Sequence, residues 1–148
     1  MSQDARVTKD LMETLADGRK GFSDAAEKLA DSNRSDLASK FRELSEQRAG
    51  FHAELETMAA AYGDDIDEDG SVGAAVHRGW MSLKDALSGS DPDGVLDAAE
   101  QGEDHALSEY KDALDKDISA DLKTTVQRQY SAIQTAHDEV KRLRDSTS

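Results

Sequence analysis

The sequence predicts an all-α protein, a bundle of four long helices joined by short turns and one helical connection. Three observations predict it. Only one proline occurs in 148 residues, and the chain is rich in the residues that favour helix. Alternating Val/Ile/Thr segments and hairpin dipeptides between apolar runs, the marks of β-strands, are absent. Apolar residues recur at intervals of three and four, the spacing of a helix face packed in a bundle.

The seams can be read in order. Val7, Leu11, Leu15, Gly18, Phe22, Ala25 and Leu29 mark the first helix, over about 4–31. Leu37, Phe41, Leu44, Arg48, Phe51, Leu55, Met58 and Tyr62 mark the second, over 35–62. Ser32, Asn33 and Ser35 leave room for only a tight turn between them, so the pair is antiparallel. Leu96, Ala99, Glu103, Ala106, Tyr110 and Ala113 mark the third helix, over 92–115, with Pro92 at its first turn. Leu122, Val126, Gln129, Ile133, Ala136, Val140 and Leu143 mark the fourth, over 119–145, with Ser119 as its N-cap. Between the second and third helices, Val76, Trp80, Leu83 and Leu87 predict a further helix over 72–88, with Trp80 buried against the bundle. In line with the third helix this element would reach ~60 Å, against ~43 Å for the first two, at 1.5 Å of rise per residue. A crossover returning the chain to the other end avoids that mismatch. Residues 1–148 then form one domain, a ferritin-like four-helix bundle with a helical crossover between helices 2 and 3.

Composition excludes several function classes. The 32 acidic and 18 basic residues give a formal charge of −14, which disfavours nucleic acid and anionic membrane surfaces. No apolar run approaches the ~20 residues that span a bilayer. Cysteine is absent, so disulfides, thiolate metal sites and thiol catalysis are not available. With no apolar leader at the N-terminus, the expected location is the cytoplasm.

The stretch "DDIDEDGS", Asp64–Ser71, opens like a calcium-binding EF-hand loop. Counted from Asp65, positions 1, 3, 5 and 6 fit. Position 12 is Val76 where a bidentate Glu is needed, so the segment reads as an acidic connection.

The segments "TLADGRKGFSDAAE", "SEQRAGFHAEL", "HRGWMSLKDAL", "GEDHALSEYKDAL" and "AIQTAHDEVKRLRD" follow one another in this order. Together they resemble a family of uncharacterised bacterial ferritin-like four-helix-bundle proteins, distantly similar to rubrerythrin and bacterioferritin, over about residues 8–145. The resemblance implies the bundle and the crossover. It implies no reaction.

A ferritin-like di-iron centre takes a Glu from each of two helices and Glu-x-x-His from each of the other two, all inward. Here the inward pair of helix 2 is Arg48 and Phe51, the helix 4 pair is Gln134 and His137, and helix 1 presents Gly18. Glu103 is the only acid at a seam position. A buried arginine must be paired, so Arg48, Glu103 and Gln129 are expected to form a buried polar layer where the metals would lie, with Gly18 making room for the guanidinium. The expected function is therefore a non-enzymatic, soluble, stress-associated bundle without a cofactor, open to self-association or to a protein partner. The alternative is a metal-binding or redox protein holding iron or another divalent metal at a reduced site of Glu103, His137 and His52. His77 and His105 are read as surface residues.

Overall fold

The computed structural model describes residues 3–61 and 92–147. They form four helices: α1, Gln3–Asp31; α2, Ser35–Ala61; α3, Pro92–Leu114; and α4, Ala120–Thr147. The acidic stretch at 64–71, the expected crossover helix at 72–88, His77 and Trp80 lie outside the described residues.

The α1–α2 turn closes as its sequence dictates. Asn33 sits in the left-handed region, φ 62°, which Asn tolerates better than most residues. The amides of Asn33 and Arg34 donate to the carbonyls of Ala30 and Leu29 at 3.2 and 2.8 Å. This pair of bonds is the Schellman closure, and it satisfies carbonyls that the helix end would otherwise orphan. At the start of α4, Ser119 Oγ accepts from the Leu122 amide at 3.4 Å, and the Ser119 amide donates to Asp4 Oδ1 at 2.9 Å.

Two apolar clusters fill the bundle. One joins Phe22–Leu29 of α1, Leu37–Leu44 of α2, Val95–Ala99 of α3, and Ala136 and Val140 of α4. The other joins Val7–Leu15, Leu55 and Ala59, Ala106–Ala113, and Leu122–Ile133. Their membership fixes helix direction. α1 and α4 run one way, and α2 and α3 run the other. Parallel second and third helices are what a single long connection in a four-helix bundle produces. The α1–α2, α3–α4 and α1–α3 contacts are extensive, and α2 touches α4 more lightly. None of the four described helices is long and apolar enough to cross a membrane.

α1 departs from the seam pattern. Glu13 and Asp17 are buried there, 9% and 4% exposed, alongside Thr8 and Thr14. These acids lie off the seam, so the expectation that Glu103 is the one inward acid holds for seam positions only. Burial of α1 extends over a wider arc than its apolar stripe.

Candidate functional site

The two clusters are separated by one polar level. On α2 it falls between Leu44 and Phe51, on α3 between Ala99 and Ala106, and on α1 between Leu15 and Phe22. Arg48, Glu103 and Gly18 occupy it. Arg48 is 1% exposed and Glu103 is fully buried. The guanidinium meets the carboxylate as a fork, Nη1 donating to Oε1 at 2.5 Å and Nη2 to Oε2 at 2.7 Å. Planar, bidentate pairing of this kind is the geometry arginine is built for. Arg48 Nε donates to Gln47 Oε1 at 3.2 Å. The cation also stands over the Phe22 ring, 5.1 Å from its centroid. Phe22 is held in turn by an edge contact with Phe41.

Gly18 packs against Arg48, but not because the guanidinium needs the whole space. A Cβ added at Gly18 would lie 3.6 Å from Nη1 and 3.7 Å from Cγ, ordinary van der Waals contact. An alanine would therefore fit beside Arg48, and only a larger side chain would enter the space of the guanidinium.

Gln129 does not join the pair. It is fully buried, but its carbonyl accepts from the Tyr110 hydroxyl at 2.6 Å and its amide donates to Glu54 Oε1 at 2.7 Å. Glu54 is bound from its other side by Arg128. The expected three-residue layer is thus two separate units, Arg48–Glu103 and Tyr110–Gln129–Glu54–Arg128. The reason is axial offset. On α4 the polar level falls between Ile133 and Ala136. Gln129 sits about a turn and a half away, ~8 Å along the axis.

Burial pushes the Tyr110 phenol well above its ordinary value. The Glu54 charge adds to the rise and Arg48 opposes it. Tyr110 therefore stays a neutral donor to Gln129. Sequence reading placed Tyr110 on the seam but gave it no role. The signal was present, since a buried amide at Gln129 needs both an acceptor and a donor partner.

The histidines fall elsewhere. His52 lies 3.6 Å from Glu56 and His105 lies 3.9 Å from Glu109, both one turn along their own helices. His137 faces α3, with Nε2 2.7 Å from Asp104 Oδ1. Among the described residues, Glu100, Asp104 and His137 alone gather as potential metal ligands. Glu103, His137 and His52 do not meet around a common point, which corrects the alternative ligand set. Glu27 of α1 is exposed.

Glu103, the one acid at a seam position, has both oxygens bonded to a guanidinium, and the facing position on α2 is itself a cation. No inward Glu-x-x-His pair is present on the described helices.

Fold and site together define an all-α four-helix bundle whose middle is closed by a buried ion pair. The chain belongs to the family described as Domain of unknown function (DUF2383), whose model matches residues 5–116. That span includes Arg48, Glu103 and Tyr110. Comparison with curated proteins returns no match.

Proposed function

We propose that this is a ferritin-like bundle that has exchanged metal chemistry for a fixed structural centre, and that it acts as a non-enzymatic, stress-associated interaction protein of the bacterial cytoplasm. One observation carries the reading. Arg48 and Glu103, buried and paired as a fork, fill the level where a ferritin-like centre gathers its carboxylates. A cation held there by two hydrogen bonds repels a metal ion electrostatically and removes its best ligand. What the surface offers instead is strong negative charge, with a formal net charge of −14. It suits a basic protein partner better than nucleic acid or an anionic membrane.

The test is iron chemistry on untagged protein. Aerobic Fe²⁺ is added and its oxidation is followed against a protein-free control. The expected result is no acceleration, and no pair of irons per chain after gel filtration. Accelerated oxidation with two irons retained per chain would overturn the reading. The partner is sought by pull-down at low and high salt, where an electrostatic partner releases as salt rises.

The rival reading, metal binding through Glu103, His137 and His52, lacks the necessary convergence. His137 nevertheless has carboxylate neighbours of its own.

A further inference from the structure

We propose that Glu100, Asp104 and His137 form a binding site for one divalent transition cation at the α3–α4 edge, separate from the bundle centre. Each residue offers one ligand atom, and the three atoms lie within 4.8 Å of one another. Glu100 and Asp104 stand one turn apart on α3 and so share a face. His137 approaches from α4. The donors are thus carried by two packed helices rather than by a loop.

The donor set names the class of ion. Two carboxylate oxygens and one imidazole nitrogen suit a borderline cation such as Zn²⁺, Mn²⁺ or Fe²⁺, with water completing the coordination. Calcium takes six to eight oxygens and gains nothing from the imidazole.

The ring is also set for this role. Its other nitrogen, Nδ1, lies 3.4 Å from Asp138 Oδ1. A carboxylate on one ring nitrogen fixes ring orientation and makes the opposite nitrogen the stronger donor, an arrangement that accompanies metal-bound histidine. That opposite nitrogen, Nε2, is closed to solvent. It touches Asp104 without an aligned hydrogen bond. Glu100 Oε2 is likewise closed to solvent and outside any aligned hydrogen bond, although Arg144 is its ion-pair partner. Two carboxylate oxygens and one imidazole nitrogen therefore converge at the α3–α4 edge, and a divalent cation bound there would replace the proton or the Arg144 cation that otherwise balances the carboxylates.

Arg144 is the built-in competitor. It also contacts Asp97 at 3.3 Å and Asp145 at 3.4 Å. It can leave Glu100 to a metal without being stranded. Asp104 is largely exposed, its side chain at 63%, so ions reach the site from solvent.

Zinc titration of the untagged full chain by calorimetry, after chelator treatment, tests the proposal. Wild type is expected to bind one Zn²⁺ per chain in a saturable phase. His137→Asn and Glu100→Gln each abolish that phase, with circular dichroism showing that the variants remain helical. Asp138→Asn weakens binding about 10–100-fold. Arg144→Gln tightens it, and His52→Asn leaves it unchanged. The imidazole nitrogen shifts of His137 move with zinc in step with the heat. Three results would overturn the proposal. Wild type shows no saturable phase, and the cluster is an ion-pair network only. Binding persists undiminished in both ligand variants, and the ion is held by net charge. Binding survives His137→Asn but disappears in the Arg48→Met/Glu103→Gln double variant, and the metal sits at the bundle centre.

Discussion

Arg48 and Glu103 show why single deletions and paired deletions differ at a buried ion pair. Removing one partner strands the other charge in an apolar interior, whereas removing both strands neither. Arg48→Met or Glu103→Gln alone is expected to cost on the order of 3–5 kcal/mol. The double variant costs far less than the sum, because the two residues are directly coupled. Urea unfolding of the four proteins measures the cycle, and additive costs near zero would refute the coupling. Tyr110 gives a second expectation at this scale. Its phenol is raised in the folded state, chiefly by burial, while the unfolded chain loses the proton near the ordinary value of about 10. The unfolded state therefore releases its proton first as pH rises. The stabilisation is complete below about pH 10 and falls away above it. Tyr110→Phe should flatten that alkaline decline in Tm. At pH 7 the same variant should cost roughly 1–3 kcal/mol, since Gln129 Oε1 loses its buried donor. Parallel alkaline declines in both proteins would place the titration elsewhere.

At the scale of elements, the α1–α2 hairpin depends on one backbone conformation. Asn33 holds φ at 62°, and the two closing bonds depend on it. Glycine reaches this region without steric cost, so Asn33→Gly should leave the thermal midpoint unchanged or raise it. A β-branched side chain does not, and Asn33→Val should lose about 1–2 kcal/mol. Thermal melts of the two variants decide this. Equal melting would show that the turn can close in another way. The helices meet this turn with their apolar faces already aligned, because Leu29 and Leu37 on either side of it belong to the same cluster.

For the whole molecule, charge is the strongest influence outside the apolar clusters. A formal net charge of −14 makes the compact state repel itself, and salt screens exposed charges over about 10 Å at 0.1 M. Raising NaCl from about 10 mM to 0.5 M should therefore raise Tm. The Arg48–Glu103 pair, out of reach of solvent, should show the same coupling at both salt concentrations. A Tm that falls with salt would mean that attractive surface pairs, such as Lys40–Glu139, outweigh the net repulsion.

Periodicity along the chain determined the four described helices and their inward faces, since spacing by three and four fixes which side of a helix is apolar whatever it packs against. It also determined that Arg48 and Glu103 lie on those faces, and the high cost of burying a lone charge leaves an inward Arg facing one seam acid little alternative to pairing with it. Only the tertiary structure decided the rest, because spacing fixes a residue's angle around its own helix and says nothing of the slide of one helix along another. Hydrogen bonds reach about 3 Å. An offset of ~8 Å was therefore enough to take Gln129 from the Arg48–Glu103 pair and give it to Tyr110 and Glu54. The same slide and rotation set His137 against Glu100 and Asp104 rather than Glu103, and buried Glu13 and Asp17 where no seam marks them.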